Sequence, residues 1–194
     1  PVADGMVVNT RSERAVGART SALELLMSNH PADCVAPCSR GCPAGIDVQR
    51  YLALAKVGDF AEALKTIRQH NPMPIVCGRV CVRKCEDVCR RSFYDEPVGI
   101  NMVKRSVSDY WFEHPYEETP APSTGKRVAV VGGGPSGLTA AYFLRMSGHS
   151  VTIFEMQEKL GGMLRWGIPD YRLPQERLDF EIGAILALGI EVRT

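Results

Sequence analysis

The stretch that most limits what this chain can fold into is 127–141, Arg-Val-Ala-Val-Val-Gly-Gly-Gly-Pro-Ser-Gly-Leu-Thr-Ala-Ala. Strand-forming residues lead into Gly132, Gly134 and Gly137 at G-x-G-x-x-G spacing, and a helical pattern follows at once. Gly132 is expected to allow the tight turn, Gly134 to let backbone approach a pyrophosphate, and Gly137 to let the helix pack on the strand. Pro135 and Ser136 fall in the same turn, at a helix N-terminus whose free N–H groups and dipole favour an anion. A second apolar run, 150–154, leads to Glu155 about 20 residues on, where a carboxylate binds a ribose hydroxyl. The expectation is a strand–helix–strand dinucleotide site. A glycine turn that only packs is the alternative.

A chain of 194 residues holds one or two domains, and 45% hydrophobic with 23% charged residues suits a globular core. The net charge of +1 gives no reason to expect nucleic acid or an anionic membrane as partner. No apolar run nears the roughly 18 residues of a spanning helix, so membrane insertion is not expected. The start has no charged segment followed by an apolar one, which argues against a secretory signal and for a cytoplasmic protein. It also lacks an initiator methionine, which suggests a fragment or a processed chain.

All 7 cysteines fall within 34–89. Cys34, Cys38 and Cys42 are spaced by four, as are Cys77, Cys81, Cys85 and Cys89. Even spacing in a chain expected inside the cell points to metal before disulfides. Were 77–89 one straight helix, its thiols would line a face roughly 18 Å long, beyond the reach of one compact cluster. The segment therefore coils around a centre, or its thiols are divided between two. Iron–sulfur clusters take four ligands each, usually thiolates. Two clusters need eight ligands, so one position falls to another residue. His30 extends the same spacing toward Cys34; a capping or surface role is its alternative. Cys42-Pro43 fits the habit of such runs to place proline after the last ligand. Zinc competes, but its structural sites usually show paired Cys-x-x-Cys knuckles, and there are none.

Between these motifs the patterns are helical at first. Thr10-Arg-Ser-Glu13 is a capping box before an apolar stripe of Val16, Leu23, Leu26 and Met27, ending near Asn29-His30-Pro31. Asp47 caps a helix to Lys56, and Asp59-Phe-Ala-Glu62 caps another with Phe60, Leu64 and Ile67 inward. From Ile100 to Phe112 a helix places Val103, Val107 and Trp111 on one face; Phe143 and Met146 also read as core. The proline-rich 113–125 is expected to be a linker. Strand, helix and strand follow at 127–131, 137–147 and 150–155, then a helix at about 175–188 and the start of a further strand. A doubly wound sheet needs more strands, so either the C-terminal half is missing or another polypeptide completes it.

Several motifs together resemble the glutamate synthase small-subunit family, which includes the N-terminal region of dihydropyrimidine dehydrogenase and the large subunit of ferredoxin–NADP transhydrogenases. They are Cys42-Pro-Ala-Gly-Ile-Asp, the run 71–81 (Asn-Pro-Met-Pro-Ile-Val-Cys-Gly-Arg-Val-Cys), Cys85-Glu and Val98-Gly-Ile-Asn. The glycine turn, Glu155, Leu160-Gly-Gly-Met-Leu and Gly167-Ile-Pro-Asp-Tyr-Arg-Leu-Pro match too. The resemblance implies an α+β chain: an all-α helical-bundle domain with a ferredoxin-like pair of [4Fe–4S] clusters at 34–112, linker 113–125, then the start of a Rossmann-like FAD-binding α/β domain at 126–194. A following NAD(P)H-binding domain is expected to be missing. It also implies Cys34, Cys38 and Cys89 on one cluster and Cys42, Cys81 and Cys85 on the other. The family's first cysteine is absent, leaving room for His30, and its Glu or Gln ligand falls at Lys104, which cannot ligate iron. Cys77 or a nearby carboxylate is the substitute, or that cluster is altered or absent. Residues 1–33 resemble instead the lead-in after a [2Fe–2S] domain in the large iron–sulfur subunit of respiratory complex I and related hydrogenase and formate dehydrogenase subunits. There the His-Pro-x-Asp-Cys histidine is a ligand.

In the flavin half, Gly161 and Gly162 are expected to admit FAD close to the chain, a plain loop being the alternative. Leu164, Trp166, Gly167 and Ile168 are candidates to line its ring, although Trp166 reads equally as core. Arg172 is a candidate for phosphate or flavin, and equally a solvated charge. No nucleophile–base pair is visible. The expected activity is NAD(P)H-dependent electron transfer through FAD and two clusters to another redox subunit, such as a glutamate synthase large subunit or a hydrogenase or formate dehydrogenase component. A non-enzymatic iron–sulfur scaffold is the alternative.

Overall fold

The computed structural model describes residues 3–28, 30 and 34–194. They fall into two compact units, 1–35 and 36–194. In the first, helix α1 (Glu13–Ser28) begins after Ser12, whose hydroxyl accepts the Ala15 N–H at 3.3 Å. The cap is therefore Ser12 rather than Thr10, because Ser12 stands directly before the first helical turn. The stripe of Val16, Leu23, Leu26 and Met27 lies exposed on this helix. Asn29 and residues 31–33, where the helix was expected to stop, lie outside the described residues, as do the first two.

The second unit opens with α2 (Pro37–Gly41), α3 (Val48–Lys56) and α4 (Phe60–Arg68). Asp47 and Asp59 cap α3 and α4, each accepting a backbone N–H at 3.1 Å, from Arg50 and Glu62. Leu64 and Ile67 of α4 are buried with Tyr51 of α3 and form a helical core with Ile75, Val107 and Trp111. Next come α5 (Pro74–Val80), the short α6 (Lys84–Asp87), a 3₁₀ turn (Arg90–Phe93) and α7 (Ile100–Glu113). The cysteine segment 77–89 is not a straight helix. Cys81 ends α5 in extended backbone, and Arg83 adopts the left-handed region at φ 61°.

A parallel sheet follows, with strands β1 (Arg127–Val131), β2 (Ser150–Phe154) and β3 (Glu191–Arg193) in the order β1-β2-β3. Arg127 pairs with Ser150 and Thr152 with Glu191. Helix α8 (Pro135–Met146) connects β1 to β2; α9 (Met163–Trp166) and α10 (Gln175–Leu186) connect β2 to β3. Leu138, Ala141 and Tyr142 of α8 and Leu178, Ile182 and Ile185 of α10 close over Val151 and Ile153. Phe143, expected in the core, is 36% exposed on the outer side of α8.

The helices and the sheet layer share contacts. Met73 and Val76 join the sheet's core. Fully buried Glu181 of α10 accepts the Ile75 and Val76 N–H groups at 2.5 and 2.9 Å, satisfying free donors at the start of α5. The segment 113–125 is docked on both layers. Glu118 pairs with Arg68 of α4, and the Ala121 and Thr124 N–H groups donate to the Met146 and Gly148 carbonyls.

Candidate functional site

The seven cysteines are all free thiols, six of them half-buried and Cys34 exposed. In the second unit Cys38, Cys42 and Cys85 pack against the helical core. Burial pushes the Cys85 thiol up to about 11; the Lys104 ammonium opposes this, while Glu86, Cys42 and Cys81 add to it. Cys38 is raised chiefly by burial, and also by Cys89 beside it. Tyr51 belongs to that core; burial, then Cys85, Cys42 and Cys38, drive its hydroxyl above the usual phenol range, and that hydroxyl donates to the Ile100 carbonyl at 3.2 Å.

This donor set fits iron–sulfur chemistry. The sulfurs are soft ligands, and Cys81 Sγ accepts the Arg83 N–H at 3.3 Å, the kind of hydrogen bond that tunes a cluster. The left-handed turn at Arg83 is what aims that N–H back. Among the described residues no three His, Cys, Asp or Glu side chains converge on a point that a single ion would fill. A cluster brings its own inorganic core and holds its thiolates farther apart. His30 and Cys34 belong to the first unit, where both are exposed. Cys77 is half-buried; burial raises its thiol, Lys104 opposes and Glu181 assists, and its Sγ lies 3.7 Å from Asn71 Oδ1.

At the head of β1, Gly132 takes φ 95°, a conformation that favours glycine, and its N–H donates to the Phe154 carbonyl at 2.7 Å. A Cβ on Gly137 would stand 1.9 Å from the Gly132 carbonyl oxygen, so helix α8 can start this close to β1 only with glycine there. Gly134 is the N-cap and Pro135 opens the helix, leaving the free N–H groups of the first turn around Ser136 for an anion. Glu155, just past β2, accepts N–H groups from Gly133, Met156 and Gln157 at 2.6, 2.8 and 2.9 Å. The Gln157 and Gly133 amides hold its carboxyl below the usual range. The cradle fits a dinucleotide.

The loop after β2 leans on this turn. Gly161 donates to the Gly133 carbonyl at 2.8 Å, and a Cβ on Gly162 would come within 2.9 Å of Gly134 Cα. Leu164 is buried and Ile168 packs against the same core, Gly167 ends α9, Trp166 is 62% exposed and Arg172 is exposed. Trp166 is therefore no core residue in this chain, because the one-turn helix α9 faces it outward. Sequence reasoning passed over Gly133, where a Cβ would strike Leu160 Cδ2 at 2.2 Å, and Arg165, which donates to the Leu160 carbonyl at 2.7 Å. Gly133 stood inside the motif and was legible there. Arg165 carried no signal.

Grouped thiols on a helical domain, joined to a parallel strand–helix–strand with a glycine turn, define the class: an iron–sulfur domain followed by a Rossmann-like nucleotide fold. Comparison with known families agrees. The sequence model described as dihydropyrimidine dehydrogenase domain II, 4Fe-4S cluster, matches residues 20–116, half of the chain, and one described as an NAD(P)-binding Rossmann-like domain matches 130–191. The chain belongs to the dihydropyrimidine dehydrogenase domain II family. It is similar to the beta subunit of the NADP(+)-dependent formate dehydrogenase of Moorella thermoacetica, 44% identical over 81% of this chain and 26% of that one. Similarity extends to the beta subunit of the NADPH-Fe(3+) oxidoreductase of Geobacter sulfurreducens, at 43% over 81% and 24%. It extends also to the PreT subunit of the NAD-dependent dihydropyrimidine dehydrogenase of Escherichia coli, at 38% over 81% and 39%. The chain thus spans between a quarter and two fifths of the length of these relatives.

Proposed function

We propose that this chain is the iron–sulfur and flavin-binding part of an NAD(P)H-dependent electron-transfer oxidoreductase of glutamate synthase small-subunit type, serving a partner redox subunit. The observation that carries the reading is the packing of Cys38, Cys42 and Cys85 against one helical core, in the same compact unit as the glycine turn. In this reading Cys42, Cys81 and Cys85 hold one [4Fe–4S] cluster and Cys38 and Cys89 the other. His30 and Cys34 are proposed as further ligands on their spacing alone. Gly132, Gly134, Pro135, Ser136 and Gly137 receive the FAD pyrophosphate, and Glu155 a ribose. Gly161, Gly162 and the residues from Leu164 to Arg172 border the flavin. When bound, the clusters supply one-electron transfer and the flavin joins it to two-electron hydride chemistry. The protein's own residues mount these groups, bury them and supply hydrogen bonds. The nicotinamide site and the partner contact belong to the rest of a protein of the relatives' length. Free thiols of this kind suit the reducing cytoplasm. No helix among the described residues is long and apolar enough to cross a membrane.

One observation favours a scaffold without flavin: three backbone amides already occupy the Glu155 carboxylate, which leaves a ribose little acceptor capacity. Iron, sulfide and flavin stoichiometry on the intact protein purified without oxygen separates the two. Two reduced cluster signals with bound FAD are expected. Clusters without flavin would leave the scaffold, and a protein with neither would refute both.

A further inference from the structure

We infer that the cleft at the N-terminal end of the parallel sheet is a binding site for a dianionic phosphate group, free or carried by a small molecule.

The cleft holds about 360 Å³, and Ser123, Arg127, Arg145, Ser150, Thr152 and Glu191 line it. Arg127, Ser150 and Glu191 are the first residues of β1, β2 and β3, whereas the glycine turn and Glu155 follow the last residues of β1 and β2. Strand β1 has 5 residues, which puts roughly 16 Å between the two ends at about 3.3 Å per residue. A ligand here therefore does not share the nucleotide cradle.

The walls are fixed by backbone contacts. Ala121 and Thr124 donate N–H groups to the Met146 and Gly148 carbonyls at 2.9 and 3.0 Å, which pins the segment bearing Ser123 over the end of α8. A Cβ on Gly148 would stand 2.2 Å from the Pro122 carbonyl oxygen, so only glycine lets the segment lie this close. Arg145 is half-buried, and its Nε donates to the Leu188 carbonyl at 2.7 Å, which fixes the guanidinium against the turn into β3.

The cleft is short of acceptors. A guanidinium carries five N–H donors and no acceptor. Among the described residues, the Nη groups of Arg145 and the side chain of Arg127 meet no acceptor. Glu191, the one carboxylate lining the cleft, accepts the Thr152 hydroxyl at 3.2 Å and has Arg193 at 3.8 Å. Lys126 precedes Arg127 in the chain, so four cations accompany this one anion. Ser123 Oγ accepts the Gly125 N–H at 3.3 Å, which leaves its own hydrogen to donate. A single carboxylate would answer one guanidinium, whereas a phosphate dianion offers oxygens to both and to the hydroxyls of Ser123 and Ser150. The volume exceeds that of a bare ion and leaves room for a small organic body.

Equilibrium dialysis of the intact protein against labelled inorganic phosphate, with glycerol phosphate as a second arm, tests the site. One saturable site per chain is expected, and it should persist with excess FAD in the dialysate. Tighter binding of glycerol phosphate assigns the site to phosphorylated small molecules, and tighter or equal binding of inorganic phosphate assigns it to the free anion. Arg145→Gln and Arg127→Gln should each weaken binding about tenfold, equivalent to about 1.4 kcal/mol. Arg127 is exposed at the start of its strand, so its variant keeps the test valid even where Arg145→Gln does not fold. Absence of saturable binding, displacement by FAD, equal competition by acetate, or an affinity unchanged in Arg127→Gln would each overturn the site and leave these arginines as solvated charges.

Discussion

Replacing Arg68 by methionine tests how the segment 113–125 is fastened to the helical layer. The Arg68 side chain is 1% exposed and that of Glu118 15% exposed. The guanidinium donates twice to Glu118, at 2.9 and 2.6 Å, and once to the Pro72 carbonyl at 2.8 Å. It also lies 4.3 Å from the Trp111 ring centre and 4.9 Å from that of Tyr142. Removing one partner of a buried pair costs about 3–5 kcal/mol, because the other charge is left uncompensated. Two features pull the figure to the lower end. Methionine keeps the packing of the arginine stem, and the Tyr142 and Tyr116 hydroxyls still donate to Glu118 at 2.9 and 3.2 Å. A loss of about 3 kcal/mol is expected in urea denaturation of the intact protein at pH 7, and a double-mutant cycle with Glu118→Gln should return about 2 kcal/mol of coupling. Burial pushes the Glu118 carboxyl up, but the Arg68 hydrogen bonds and charge outweigh it and hold it below its ordinary value of 4.5. Its contribution is thus present above that pH and lost as pH falls through the lower folded value, in the wild type and not in Arg68→Met. A cost under about 1 kcal/mol, or no coupling, would refute the argument.

Three further outcomes are expected. Burial pushes Glu181 up to about 8, against the Val76 and Ile75 amides and the charges of Arg68 and Arg79. Since that lies above the ordinary 4.5, its contribution is complete below pH 4.5 and lost as pH rises through about 8, so Glu181→Gln should flatten stability over pH 5–8; equal slopes in the two proteins count against it. Gly137→Ala forces a Cβ to within 1.9 Å of the Gly132 carbonyl oxygen and should cost about 1–3 kcal/mol together with bound flavin. Full flavin absorbance in that variant contradicts the cradle. Glu155→Gln gives up one charge-assisted acceptor and should weaken flavin retention by roughly tenfold, about 1.4 kcal/mol, read by titration of the flavin-free protein; unchanged affinity assigns Glu155 to loop structure alone.

What could be read from the chain alone was local chemistry. Asp47 and Asp59 each cap a helix through an amide three residues on, so both starts were visible in a four-residue window. The glycine turn was visible for the same reason, since the contact that demands Gly137 is with Gly132, five residues away. The helical spacing of apolar residues in α7 located Val107 and Trp111, both buried. Tertiary structure decided what depends on distant partners. Cysteine spacing left open whether 77–89 coils or divides its thiols, and the left-handed Arg83, which no neighbour announces, answers that it turns. The cap on α5 comes from Glu181, more than 100 residues downstream, where helical periodicity marks a polar residue but not its burial. Lys104 reads in sequence as a ligand lost, and only the packing of α7 on its neighbours covers most of its side chain, which is 7% exposed. The physical difference is range: caps and turns are closed by neighbours along the chain, whereas burial and charge compensation depend on whichever surface the fold presses against a residue.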